Sequence, residues 1–175
     1  VAEKNKTTSK KSAIKPSCGS LSPNLSVREM KAWRAYIVAS RHLLDALDAD
    51  LGEHGISLSD YEILSHLSES EDRRIRMSDL AQAAMVSRSR LSHRIKAMEK
   101  LGWVKKEICP TDKRGSFAVL TANGWKALSN AAPDHLLSVK SRFAEKLSAK
   151  DQDDVARIFQ GLTNELRNDY LQENQ

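Results

Sequence analysis

The chain has 175 residues, a net charge of +5 and an apolar share of 40%, enough for one domain with a sizeable core. No apolar run reaches the ~20 residues of a membrane helix and no signal-peptide segment opens the sequence, so the expected compartment is the cytoplasm. Cys18 and Cys109 suggest no disulfide framework, no Cys/His cluster has zinc spacing, and no glycine-rich phosphate loop is present, so no metal or cofactor is expected.

Residues 1–25 are rich in Lys, Ser and Thr, contain Pro16 and Pro23, and lack an apolar period. That composition predicts a disordered basic arm. From Ser26 to about His54 the spacing predicts a long helix. Met30, Trp33, Ile37, Leu44, Leu47 and Leu51 recur at intervals of three and four, with Ser40 in one seam position. Such a seam is longer than a small core needs, so part of it is expected to meet another helix or another subunit. Gly55 is expected to close this helix, and Ser57 with Asp60 forms a capping box for the next, 58–69. Leu58, Tyr61, Leu64 and Leu67 are its expected buried side.

A short helix over 79–85, capped by Ser78, is followed by a turn and a second helix starting at the N-cap Ser87. Leu91, Ile95, Met98 and Leu101 define its buried stripe, while Arg88, Ser89, Arg90, Ser92, His93 and Lys96 line the other side. One seated face and one face of Arg, Ser and His suit insertion into a DNA major groove. Arginine there can fork onto guanine O6 and N7, and serine tolerates either base type. Arg94 lies nearer the buried stripe and is expected to pair with a neighbouring carboxylate. A hairpin then runs from Trp103 to Cys109, turns through Pro110–Gly115 and returns along Ser116–Leu120.

Charge is distributed to match. Residues 73–114 hold twelve Lys or Arg against four Asp or Glu, a net of +8, whereas 26–72 carry −6. A patch of this kind recruits phosphate through counterion release. Arg73, Arg74 and Arg76 are expected to touch phosphates rather than bases.

Thr121 restarts helix, and Pro133 is expected to kink or split it, because proline lacks the N–H and clashes inside a helix. Leu136, Phe143 and Leu147 continue an apolar face. A last helix, about 149–172, carries Val155, Phe159, Leu162 and Leu166 on one side, with Ile158 and Tyr170 beside it.

The segments SLSDYEILSHL at 57–67, SDLA at 78–81, VSRSRLSHRIKAMEKLGWV at 86–104 and TDKRGSFAVLTANG at 111–124 resemble, in this order and spacing, the MarR-type transcriptional regulators. The likeness covers roughly 27–170. It implies a mainly α fold, a winged helix-turn-helix over 55–120 with long N- and C-terminal dimerisation helices at 26–54 and 121–172. The whole of 26–172 then forms one domain. It also implies a homodimer, with Asp112 bracing an arginine while Lys113 or Arg114 reaches a minor groove. Ligands in such proteins occupy a cleft between the dimerising helices and the winged domain, where Trp33, Tyr36, Arg41 and His42, with Arg34, are candidates for a small aromatic or phenolic effector.

These features together predict a sequence-specific binder of double-stranded DNA, a ligand-responsive repressor acting as a homodimer on a pseudo-palindromic operator. The DNA-binding set is then Arg73, Arg74, Arg76, Ser78, Ser87, Arg88, Ser89, Arg90, Ser92, His93, Lys96, Asp112, Lys113 and Arg114. Two alternatives stay open: a redox-responsive regulator using Cys109, and a winged-helix adaptor that binds protein without DNA. The five histidines are scattered and no nucleophile sits beside a base, so an enzyme is not expected.

Overall fold

The computed structural model describes residues 24–109 and 115–173, with side chains described as far as 166. Nearly all of the expected arm, Cys18, and the wing tip with Asp112, Lys113 and Arg114 lie outside the described residues. The chain divides into two compact units, 1–38 and 39–175, the boundary falling within the first helix.

That helix, α1, spans Val27–Gly52. In the first unit Met30 and Ile37 are half-buried and Trp33 is exposed. In the second unit Leu44 is exposed, while Leu47 and Leu51 are buried. Gly55 follows at φ 71°, and α2 runs Leu58–Glu69 from an N-cap at Ser57. The Ser57 hydroxyl accepts the Asp60 N–H, as expected of the box. The Asp60 carboxylate, however, takes the Ser57 hydroxyl proton at 2.7 Å, and the Leu58 N–H goes to Asp48 of α1 at 2.7 Å. Tyr61, Leu64 and Leu67 are buried, Ile63 joins them, and Leu58 is only half-buried.

A 3-10 turn, Glu71–Arg73, leads into a three-residue strand, β1, Arg74–Arg76. Helix α3 follows at once, Met77–Ala83, with Arg76 rather than Ser78 in the N-cap position. Ser78 therefore does not cap it: the residue lies inside the helix and its hydroxyl donates to Asp79. The turn out of α3 is a Schellman closure, with Val86 N–H on Ala81 O at 3.0 Å and Met85 N–H on Gln82 O at 3.2 Å. Helix α4 spans Arg88–Lys100 from the Ser87 cap. Leu91, Ile95 and Met98 are buried as the spacing requires. Leu101 is exposed, because the helix ends there and Gly102, at φ 71°, turns the chain away.

Strands β2, Val104–Ile108, and β3, Ser116–Leu120, form the hairpin, and β1 pairs with the other edge of β3. Both pairings are antiparallel, with Val104 opposite Leu120 and Arg76 opposite Phe117. Ala118 and Leu120 point into a core shared with Leu64, Leu67, Leu80, Leu91, Ile95 and Met98. Helix α5, Ala122–Arg142, starts at the Thr121 cap and runs unbroken through Pro133. The expected split does not occur. Pro133 and Ser129 are both exposed, so the Ser129 carbonyl that loses its i+4 donor can be hydrated. The break comes later, at Phe143, where a 3-10 turn, Ala144–Lys146, precedes α6, Ala149–Glu173. Along α6, Ile158, Phe159, Leu162 and Leu166 are exposed.

The fold is thus mainly α with a small three-stranded antiparallel sheet, the architecture of a winged helix-turn-helix.

Candidate nucleic-acid interface

Helix α4 presents two faces of opposite character. Its apolar stripe is seated on the core, and Arg88, Ser89, Arg90, His93 and Lys96 are exposed, with Ser92 half-buried. Ser87 holds the helix N-terminus by accepting the Arg90 N–H at 3.3 Å, and its hydroxyl also shares a hydrogen bond with Ser89 at 3.1 Å. Ser78 on α3 is exposed as well. Among the described residues no carboxylate forms an ion pair with Arg88, Arg90 or Lys96. Their charge is therefore available to an external anion.

Arg94 is the exception on this helix. Its Nε lies 3.1 Å from Asp60 Oδ1, and its Nη2 donates to Ser57 Oγ at 2.5 Å. The expected carboxylate partner is thus found at the N-terminus of α2. The second link, to the capping hydroxyl itself, carries no signal in the sequence.

Arg73, Arg74 and Arg76 are held against rings. Arg73 stacks over Trp125 of α5 at 4.4 Å, and Arg74 and Arg76 lie over Phe117 of β3 at 4.2 and 5.4 Å. These ring contacts hold the three guanidinium groups beside the start of α3, with Arg74 Nε buried and without a hydrogen-bond partner. Arg74 also sits 4.0 Å from Glu107. The Lys105 hydrogen bond, with smaller help from the charges of Lys105 and Arg74, holds the Glu107 carboxyl below its ordinary value. Arg76 Nη2 donates to Cys109 Sγ at 3.3 Å. Cys109 is only 3% exposed, so the thiol that an oxidant sensor would need is withheld from solvent.

The four residues expected at an effector site all lie on α1. Trp33 and Tyr36 are exposed in the first unit, with ring centroids 6.2 Å apart. Arg41 and His42 are exposed in the second. The second unit holds a cleft of about 250 Å³ lined by a different set, including Asp50, Glu53, His54, Asp134, Ser138 and Arg142. Arg142 forks onto Asp50, with Nε and Nη2 each donating at 3.1 Å. The buried Ser138 hydroxyl donates to the same carboxylate at 2.5 Å. That hydroxyl first, and Arg142 second, keep the Asp50 carboxyl below its ordinary value. His54 Nε2 meets Asp134 at 3.0 Å. Partners 88 and 92 residues apart leave no local pattern, so this cleft carries no sequence signal.

No group of side chains able to hold a metal ion is found among the described residues. No described helix is long and apolar enough to cross a membrane.

The model of the MarR family matches residues 54–115, from just after α1 to just before β3. The crystal structure of AbsC, a MarR family transcriptional regulator from Streptomyces coelicolor, superposes with a TM-score of 0.80. It is 42% identical over 82% of this chain and 97% of its own. The chain belongs to the MarR family. A second regulator of that family from the same organism, Sco3205, in complex with DNA, gives a TM-score of 0.79 at 40% identity, over 81% of this chain and 90% of its own. The transcriptional regulator HosA of Escherichia coli O111:H- is 35% identical over 85 residues, 49% of this chain. The chain spans 62% of the length of that relative.

Proposed function

We propose that this MarR-family protein is a sequence-specific regulator of transcription that binds double-stranded DNA as a homodimer and represses from a pseudo-palindromic operator. The observation that carries this reading is the exposed Arg, Ser and His face of α4, capped by Ser87 and backed by the core through Leu91, Ile95 and Met98. An α-helix with that division fits a major groove. The structure of Sco3205 in complex with DNA, 40% identical over the matched region, supports DNA binding by this chain.

In this reading Arg88, Ser89, Arg90 and His93 approach base edges, with Ser92 and Lys96 beside them. Ser87, Ser78 and the stacked arginines Arg73, Arg74 and Arg76 meet the backbone. Lys113 or Arg114 enters the neighbouring minor groove, while Asp112 braces an arginine. The exposed apolar residues of α6, Leu162 and Leu166 among them, pair with those of a second copy. Two recognition helices related by a two-fold axis then read half-sites about one helical turn apart. A small effector seated beside the dimerising helices would shift the balance between bound and free DNA. Residues 26–172 act as one domain in this arrangement, with the basic arm preceding it.

Footprinting on genomic fragments tests the reading. The expected result is a protected site with internal two-fold symmetry, and affinity that falls steeply with salt. Binding that is indifferent to sequence would refute it.

A further inference from the structure

Arg94 ties α4 to the N-terminus of α2, which α1 grips in turn through Asp48. Ser57 Oγ is committed to full capacity. It donates its proton to Asp60 Oδ2 and accepts from the Asp60 N–H and from Arg94. A hydroxyl has one donor and two acceptor positions, so no place is left for water or for another partner. Arg94 in turn donates to Ser57 through Nη2 and pairs with Asp60 by charge, its Nε 3.1 Å from Oδ1 but outside hydrogen-bond geometry. Next in sequence, the Leu58 N–H is held by Asp48 on α1. The N-terminus of α2 is therefore the common anchor of α1 and α4.

An apolar seat alone leaves a helix free to roll and slide by small amounts, since dispersion contacts are not directional. The polar tie removes that freedom. Arg90 lies one turn before Arg94, nearly in line with it along the helix, so the azimuth fixed at Arg94 is the azimuth at which Arg90 projects. We propose that Arg94 is a positioning residue for DNA readout, acting through the Ser57–Asp60 cap and its Asp48 brace rather than by touching DNA. The inference rests on the proposed DNA binding, and it extends that binding to residues outside the interface.

The test is a double-mutant cycle on the full chain with Arg94→Gln, Asp48→Ala and both together. Affinities for the footprinted operator and for a random duplex are measured over a salt series. Each single variant should lose roughly tenfold on the operator and little on the random duplex, with the salt slope unchanged. The double variant should be no worse than the weaker single, because both changes release the same anchor. Asp48→Asn, which keeps an acceptor for Leu58, should restore binding. Arg94→Lys should not, since a compact ammonium on a flexible stem does not reproduce a fixed Nη2 donor on Ser57 together with a charge beside Asp60. A slope reduced by about one in Arg94→Gln would make Arg94 a direct phosphate contact and overturn the proposal. Losses that multiply in the double variant would overturn it too.

Should Arg94→Gln fail to fold, Asp48→Ala decides, and an unchanged operator-to-random ratio contradicts the coupling. Hydrogen exchange of the α4 amides without DNA gives a readout independent of the proposed function. Faster exchange in Asp48→Ala is expected, and unchanged exchange overturns the tie. A parent that prefers no operator would instead refute the DNA-binding reading, with the exchange result still judging the anchor.

Discussion

A Cβ placed on Gly124 would lie 2.1 Å from the carbonyl oxygen of Trp103. That oxygen already accepts the Thr121 N–H and the Thr121 hydroxyl, both at 3.0 Å. The first turn of α5 is thus pressed directly on the chain where α4 gives way to the wing. Gly124→Ala must push two backbone segments apart, and overpacking of this kind destabilises by about 1–3 kcal/mol. Thermal unfolding should show it as a fall of roughly 2–4 °C for each kcal/mol. An unchanged melting temperature would mean that α5 is not seated on Trp103.

Met85 offers the opposite case. It is a bulky residue at φ 51°, in the position of the α3 Schellman turn that glycine occupies at the end of α4. Its side chain is 81% exposed, so little packing is lost with it. The left-handed conformation strains a non-glycine residue by about 1–2 kcal/mol, partly offset by the greater freedom of glycine in the unfolded chain. Met85→Gly should therefore raise stability by up to about 1 kcal/mol in denaturant titration. Destabilisation by a similar amount would show that the side chain has a packing role.

His135 supplies a pH dependence. Its ring lies 4.3 Å from that of Tyr61, and its Nδ1 is buried without a hydrogen-bond partner. Burial pushes the imidazole below its ordinary value of 6.5, against a smaller opposing pull from Asp50. A folded state that keeps this histidine neutral binds fewer protons than the unfolded chain. Its stability is thus fully present above the unfolded value and declines as pH falls below it. Asp50 is also held down, so its contribution is lost only in a more acidic range, around and below 3.8. Between pH ~7.5 and ~5.5 the parent should lose more stability than His135→Gln. Equal losses would assign the acid sensitivity elsewhere.

Much of the recognition unit was legible because it is local. Ser87 and Ser57 announce their caps within three residues, and Leu91, Ile95 and Met98 repeat at helical spacing. What escaped depends on partners far away in sequence. β1 is three residues long and two of them are arginines, so no apolar alternation marks it. It becomes a strand only because β3 offers an open edge. Ile63 is buried beside the expected face of α2 because β3 and α5 cover more of that helix than a single stripe. Ser78 has the composition of a cap but follows a strand that runs directly into the helix. The cleft beside Asp50 joins helices whose contact no spacing rule foresees.

Assembly is tested on α6. Leu162 is 46% exposed and Leu166 67% in the single chain. A charge at the first, Leu162→Glu, would be buried without a partner in a dimer and should dissociate it. Sedimentation of the parent at micromolar concentration should give a dimer, and that of the variant a monomer with much weaker operator binding. A parent that sediments as a monomer yet holds one half-site at full affinity would remove both the dimer and the palindrome.

The most direct measurement of the central claim is a titration of operator and random duplexes of equal length with the parent and with Arg90→Ala. If α4 reads the major groove, the parent should prefer its operator by roughly a thousandfold or more. Arg90→Ala should lose ~1–3 kcal/mol on the operator and relax the preference at one base position in each half-site. Operator binding by Arg90→Ala as tight as that of the parent at every salt concentration would contradict the seating of α4 in the groove.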